Sequence, residues 1–311
     1  MTRVVAPQGF GGPEQLALTE IQTPQPGQGQ VRLAVRAVGV NPYDWKLYSG
    51  AVGRDPALLG TTGMEAAGVI DAVGEGVTGW SVGDEVIAES VPGSGYADAV
   101  VVPAAALIAK PGSLPWEVAA SVPVAGGTAY QAVEVVGVGP GDTVLVHGGA
   151  GGVGSLVVQL ARLRGARVIA TASPANHDAV HTLGAEPVAY GAGLEQRVRE
   201  LAPDGVDAAI DTAGGAEATA TSLALVADRS RITTIVDFGG AQEHGFKALG
   251  FGPGGDPGPA VRARGRREIV PLLADGSLQI PIGRTYPLTE TAAAHADSQA
   301  GRVRGKLVVI P

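Results

Sequence analysis

Residues 31–38 alternate in character, Val31-Arg-Leu-Ala-Val-Arg-Ala-Val38, with both arginines on the face opposite Val31, Leu33 and Val35. A period of two predicts a half-buried strand. Ala67–Val73 and Asp84–Ala88 predict two more, joined by a turn-rich stretch from Gly74 to Gly83. Tyr96–Ile108 predicts a further pair broken at Pro103. Helical spacing is scarce before residue 120, so many short strands between glycines and prolines predict an irregular antiparallel barrel.

The pattern changes near Pro123. From Thr143 apolar strands alternate with helical stretches, which predicts parallel βαβ units. Thr143–Val146 is the first strand, entered through Gly139-Pro-Gly-Asp142. The helix after it places Val153, Leu156, Val157, Leu160 and Leu163 at helical spacing and ends on Gly165. Arg167–Ala170, Pro187–Tyr190, Asp207–Asp211 and Ile232–Val236 predict four more strands, spaced as a doubly wound sheet requires. His244–Ala260 is crowded with glycine and proline and predicts a loop or a broken strand. Helices over 261–273 and 289–300 and a last strand, Lys306–Ile310, complete the chain.

Composition narrows the chemistry. The chain has 311 residues, enough for two domains, and 48 of them are glycine without a collagen period. It has no cysteine, which excludes disulfides, a thiol nucleophile, Cys-rich zinc and iron–sulfur clusters. A formal net charge of −8 without a long basic run argues against nucleic acid as a partner. The longest apolar run, Ala99–Ala109, is too short for a bilayer, and the first residues lack a secretion-type apolar core. A cytoplasmic protein with no membrane partner is the expectation.

The richest motif is Gly149-Ala-Gly151-Gly-Val-Gly154, a G-x-G-x-x-G that follows one predicted strand and opens one predicted helix. Bare backbone and the positive end of a helix can approach a pyrophosphate there. The alternative is a glycine-rich turn without a ligand. A P-loop is excluded, because Ser155 stands where the phosphate-binding lysine is needed. An acid ending the second strand would select NAD. Here that strand ends Ala170-Thr-Ala-Ser173, with no acid until Asp178, which favours NADPH. No Arg or Lys lies between Ser173 and Glu186, so His177 is the nearest cation, and only when protonated.

Seven motifs in order resemble the medium-chain dehydrogenase/reductase superfamily. They are Gly39-Val-Asn41-Pro-Tyr-Asp44-Trp-Lys46, Gly63-Met-Glu65-Ala-Ala-Gly68, Gly83-Asp84-Glu-Val86, Gly95-Tyr96-Ala97, Thr128-Ala-Tyr130, Gly148–Gly154 and Arg304-Gly-Lys306. Zinc-dependent relatives carry Gly-His-Glu where this chain has Gly63-Met64-Glu65, and a cysteine near Asn41. The resemblance is therefore to the zinc-free quinone oxidoreductase branch, since a thioether and an amide cannot replace those ligands. His177 and His181, four apart, have no third ligand close in sequence and read as solvated helix residues.

The resemblance implies an α/β fold, a Rossmann doubly wound parallel sheet plus an irregular GroES-like β-barrel catalytic domain. It assigns 1–122 to the first part of the catalytic domain, 123–253 to the NADP-binding domain and 254–311 to the catalytic domain's return. Asn41, Tyr43, Asp44 and Lys46 would line a cleft near the nicotinamide, although the residues alone read equally well as a proline-containing turn ending a strand. Thr128 would contact the cofactor. Ala150, Gly151, Gly152 and Val153 would meet the pyrophosphate. Ser173, His177 and Tyr190 would surround the 2′-phosphate, with Arg302 or Arg304 as a further source of charge, since relatives usually carry a lysine where Asn176-His177 stand. Val236, Phe238 and Gly239 would face the nicotinamide end. Gly63–Gly68 reads as close backbone packing, with Glu65 holding its turn.

The implied activity is NADPH-dependent, zinc-independent reduction of a quinone or conjugated carbonyl in an interdomain cleft, with Lys46 or Tyr43 donating to the developing oxyanion. An enoyl-thioester or alkenal reductase, or a low-turnover NADPH-binding structural or redox-sensing protein, stays open as the alternative. The partner is a small electrophile. A homodimer is implied through an edge strand near Gly245–Gly252.

Overall fold

The alternation at residues 31–38 folds as its period requires. Val31 and Leu33 are fully buried, Arg36 is exposed, and Arg32 reaches across the sheet to Asp71 Oδ1 at 2.8 Å. The computed structural model describes residues 1–89 and 94–311 and divides into two compact units, Met1–Val124 with Val270–Pro311, and Ala125–Ile269.

Chain order in the first unit begins β1 (Thr2–Pro7), β2 (Leu16–Ile21), β3 (Gln30–Val40), α1 (Pro42–Ser49), β4 (Glu65–Val73), β5 (Glu85–Glu89), β6 (Ala99–Pro103), β7 (Leu107–Ala109) and the single turn α2 (Trp116–Ala119). The second unit holds α3 (Gly127–Val135), β8 (Thr143–His147), α4 (Gly154–Leu163), β9 (Arg167–Ala172), α5 (His177–Thr182), β10 (Glu186–Ala189), α6 (Leu194–Leu201), β11 (Ala208–Asp211), α7 (Ala216–Leu225), β12 (Ile232–Thr234), α8 (Phe238–His244) and β13 (Lys247–Ala248), and ends within α9 (Pro259–Ala274). β14 (Ile282–Pro287), α10 (Thr291–Ala300) and β15 (Lys306–Ile310) return to the first unit.

The first unit carries the sheet β14-β15-β3-β4-β5-β7, with β6 also on β3 and β1 paired to β2. Its pairs are antiparallel as expected, except that β14 runs parallel to β15. The core beneath it gathers Val31, Leu33, Ile70, Val86, Val102, Tyr96 and Val309. β2 and β14 escape sequence reading because most of their side chains are exposed, so no apolar alternation marks them.

The second unit is an all-parallel sheet in the order β10-β9-β8-β11-β12-β13. The chain winds outward from β8 in both directions, so the crevice at the carboxyl ends of β8 and β11 is the place where this topology binds ligands. The five strands predicted for this unit sit where the pattern places them, with two corrections, and the glycine- and proline-rich segment is the broken strand expected. β10 and β12 stop at Ala189 and Thr234, one and two residues early, which leaves Tyr190 and Val236 in the loops. Leu163 is 53% exposed rather than part of the buried face, because it closes the last turn before Gly165 (φ +83°) leads the chain away. Residues 244–260 form a two-residue edge strand, β13, and then a bridge between Leu249 and Asp256.

Candidate functional site

At the carboxyl edge of the parallel sheet the three fingerprint glycines have separate tasks. A Cβ at Gly149 would lie 2.7 Å from the Ala170 methyl, and one at Gly154 would lie 2.1 Å from Gly148 O. Both glycines are therefore required for the loop to pack on β9 and on itself. At Gly151 a Cβ would meet only Gly148 O, at 3.4 Å, and otherwise open space. Side-chain hydroxyls pin the loop from below: Thr171 Oγ1 accepts from Gly148 N at 3.0 Å and Thr212 Oγ1 donates to His147 O at 2.6 Å. No side chain caps α4, and the N–H groups of Gly152 and Val153 find no acceptor among the described residues. Bare backbone, free N–H groups and a helix amino end suit Ala150, Gly151, Gly152 and Val153 to a pyrophosphate.

The neighbouring loops supply the remaining expected groups. Pairing of Ala189 with Ala172 brings Tyr190 alongside Ser173, both just past their strands. Tyr190 is 61% exposed, and Ser173 Oγ accepts from Asn176 Nδ2 at 3.1 Å. Ala172 ends β9 without a carboxylate, and Asp178 is exposed on α5. His177 differs from the solvated reading: it is half-buried, and its Nε2 is buried without a hydrogen-bond partner, whereas His181 is exposed. Thr128 is buried in α3.

A carboxylate absent from the sequence reading organises the far end. Asp211 closes β11, with Oδ1 accepting from the N–H of Ala213 (3.0 Å) and Gly214 (2.8 Å) and Oδ2 from Thr234 Oγ1 (2.7 Å). Thr234 Oγ1 in turn accepts from Val236 N and Asp237 N, each at 3.0 Å. One buried side chain thus fixes the loops after β11 and β12, including Val236. An acid ending an apolar strand before Thr212-Ala-Gly-Gly was the available signal. Phe238 opens α8, and its ring lies under the glycine-rich loop, where a Cβ at either Gly252 or Gly255 would come within 2.7 Å of it. Gly239 beside it is exposed.

In the first unit the expected site motif is a helix rather than a turn. Asn41 holds the extended N-cap position (φ −125°, ψ 148°), Pro42 opens α1, and Asp44 Oδ2 accepts from Asn41 N at 2.8 Å. Gly50 (φ +84°) ends it. These are ordinary start and stop signals compressed into ten residues. Asp44 is fully buried: Oδ1 accepts from Gly63 N at 2.8 Å and Oδ2 from Tyr96 Oη at 3.0 Å. Burial pushes its carboxyl up to about 6, although these donors pull the other way. Gly63 (φ +73°) crosses Gly95 so closely that a Cβ on Gly95 would lie 2.0 Å from Gly63 O, which explains the glycines of two of the seven motifs.

Asn41 is equally committed. Its Nδ2 donates to Glu65 Oε1 at 2.8 Å and its Oδ1 accepts from Lys306 Nζ at 2.6 Å. Glu65 Oε2 accepts from Val124 N at 2.6 Å, so Glu65 holds backbone and partners in place. Tyr43 and Lys46, three apart on one face of α1, are half-buried. Burial raises the Tyr43 hydroxyl and lowers the Lys46 ammonium from their ordinary values. Lys46 Nζ sits 5.7 Å from the Trp45 ring centre and has no carboxylate within 4 Å among the described residues. Of the four residues expected near the chemistry, Asn41 and Asp44 face inward with their polar atoms taken, and Tyr43 and Lys46 stay half-buried on the other face of α1.

Comparison with known proteins identifies the family. Residues 27–112 match the alcohol dehydrogenase GroES-like domain, and residues 183–309 match a family described as zinc-binding dehydrogenase. A quinone oxidoreductase from Lama guanicoe is 30% identical over 324 residues, spanning 100% of this chain and 98% of its own. The chain belongs to the medium-chain dehydrogenase/reductase superfamily. Among solved members, the mycobacterial protein Rv1454c complexed with NADPH is 31% identical, with a TM-score of 0.86 over 100% of both chains. The CurK enoyl reductase is 26% identical, with a TM-score of 0.85 over 99% of both. The polyketide synthase GfsB from Streptomyces halstedii is 35% identical over 295 residues, but the chain spans only 5% of that protein. The superfamily's two architectures, GroES-like and Rossmann, are thus the two units described above. Among the described residues of this medium-chain protein, no group of three or more His, Asp or Glu side chains is placed to hold a metal ion, and no helix is long and apolar enough to cross a membrane.

Proposed function

We propose that the protein is an NADPH-dependent reductase of quinones or conjugated carbonyls that works without a catalytic metal. The observation that carries this reading is the open face at Gly151 above uncapped N–H groups, together with a second strand that ends in Ala172-Ser173 rather than in an acid. Backbone from Ala150 to Val153 holds the pyrophosphate. Ser173, Tyr190 and His177 receive the 2′-phosphate, a group that a carboxylate in their place would repel. Thr128, Val236, Phe238 and Gly239 bound the nicotinamide end.

NADPH bound here supplies hydride from nicotinamide C4. The residues of the chain orient and polarise. Tyr43 and Lys46 donate hydrogen bonds to the acceptor oxygen as negative charge develops on it. Asn41 and Asp44 act through α1: they cap it and fix its angle, and so aim those two donors. Met64 and Asn41 occupy the positions of a zinc site without offering zinc ligands, and the Asn41 amide is saturated by Glu65 and Lys306. Polarisation therefore falls to side-chain donors.

Similarity to the CurK enoyl reductase favours a second reading, reduction of an enoyl thioester. Acceptors decide between them. Turnover of NADPH with benzoquinone, phenanthrenequinone, an alkenal and crotonyl-CoA should be fastest with a quinone or alkenal. A strong preference for crotonyl-CoA would select the thioester reading. Tight NADPH binding with no oxidation across the panel would instead assign a binding or sensing role.

A further inference from the structure

Beyond β10 the chain runs Tyr190-Gly191-Ala192-Gly193 and turns through two left-handed glycines, at φ +96° and +83°. Its carbonyls point inward and converge on one guanidinium, that of Arg197 in the first turn of α6. Arg197 Nε and Nη2 donate to Ala189 O at 3.1 and 2.7 Å, Nη2 also to Gly191 O at 2.8 Å, and Nη1 to Ala192 O at 2.8 Å. On the other side, Glu217 Oε2 of α7 accepts from Gly191 N at 2.8 Å. A Cβ on Gly193 would sit 3.2 Å from Arg197 Nη1, so the guanidinium occupies the inside of the turn. Among the described residues no carboxylate lies within 4 Å of Arg197; the carbonyls hold it.

We propose that Arg197, assisted by Glu217, is a positioning residue that sets the preference for NADPH over NADH by fixing Tyr190 beside Ser173. The inference rests on the reading that the 2′-phosphate lies between those two residues. Tyr190 is 61% exposed, so packing of its own ring does not place it. It also leads into a loop with two glycines, the residue type with the most backbone freedom to lose. Without the clamp, the hydroxyl would sample many positions. This matters more here than in a site built on charge. No Arg or Lys occurs between Ser173 and Glu186, so recognition falls to the hydroxyls of Ser173 and Tyr190 with the His177 imidazole beside them, and hydrogen bonds of this kind depend on distance and angle. The fork serves the three carbonyls from three separate nitrogens, and the compact ammonium of a lysine does not reproduce that spread.

The test uses calorimetric titration of the protein without cofactor, with adenosine 2′,5′-bisphosphate and with 5′-AMP as probes. The parent should bind the bisphosphate more tightly. Arg197→Lys and Glu217→Ala should each weaken the bisphosphate by about tenfold while changing 5′-AMP by less than about twofold. Equal weakening of both probes, or no change in either, would overturn the positioning role. Should Arg197→Lys fail to fold, by its far-ultraviolet dichroism, the Glu217→Ala titration decides alone by the same criterion. A parent that binds both probes equally would overturn the 2′-phosphate reading itself, and this inference with it. A parent that discriminates and an Arg197→Lys variant that discriminates as well would overturn the inference alone.

Discussion

Lys306 Nζ donates to Glu65 Oε1 at 2.8 Å, with both side chains at least 96% buried, and the two share the Asn41 amide between them. The last strand of the chain is thereby tied to the start of α1. Removing one partner of a buried pair strands the other charge, at a cost of about 3–5 kcal/mol. Lys306→Met should therefore lower unfolding stability by about that amount in denaturant titrations. A loss of only a few tenths would show that the pair is solvated. Gly39 belongs to the same construction, since a Cβ there would lie 2.1 Å from Glu65 Oε1 and 2.7 Å from Ala120 O. Gly39→Ala should cost about 1–3 kcal/mol, the usual penalty for overpacking.

The fingerprint glycines permit a sharper experiment, because space is absent at one and present at another. Gly154→Ala should destabilise the fold, since Gly148 O blocks the new methyl at 2.1 Å. Gly151→Ala should leave the melting temperature within a few degrees of the parent yet weaken NADPH binding, because its methyl would enter the open space proposed for the pyrophosphate. Unchanged NADPH affinity in Gly151→Ala would place the cofactor elsewhere.

Two buried titrating groups of the first unit oppose each other in pH. Asp44 titrates at about 6 when folded against 3.8 in a free chain. The folded state therefore holds that proton more tightly, and the stability from Asp44 is fullest below about pH 4 and is lost as pH rises through 6. His295 is fully buried, with Nδ1 2.8 Å from Tyr48 Oη, and burial drops it to about 4 from 6.5. Its contribution is fullest above pH 6.5 and is lost as pH falls toward 4. Each amounts to about 3 kcal/mol over its window. Stability of the parent minus that of Asp44→Asn should fall between pH 4 and 6, and the same difference for His295→Gln should rise between pH 4 and 6.5. Differences that stay flat with pH would contradict the burial of both groups.

Tyr43 and Lys46 carry the proposed oxyanion contacts. Tyr43→Phe and Lys46→Ala should each lower kcat by about a hundredfold, with little change in NADPH affinity or in melting temperature. Unchanged rates in both would remove α1 from the chemistry.

Much of this was legible before any coordinates. Parallel strands with a glycine turn after the first marked five strands of the second unit and helix α4, since buried strands and amphipathic helices write their periods plainly. What stayed hidden depends on contacts distant in sequence. Helix α1 was masked because it is short and turns Asp44, a charged residue, inward. The commitment of the Asn41 amide to Lys306, 265 positions away, leaves no local mark. Asp211 and Arg197 escaped for a related reason: each acts by gathering loop backbone, and loop backbone carries no side-chain pattern.

Hydride delivery from NADPH without metal assistance can be read in one assay. Oxidation of NADPH and of NADH is measured side by side with phenanthrenequinone as acceptor, with and without EDTA. Turnover should prefer NADPH and should not change with chelator. Turnover that prefers NADH, or that EDTA abolishes and zinc restores, would contradict it.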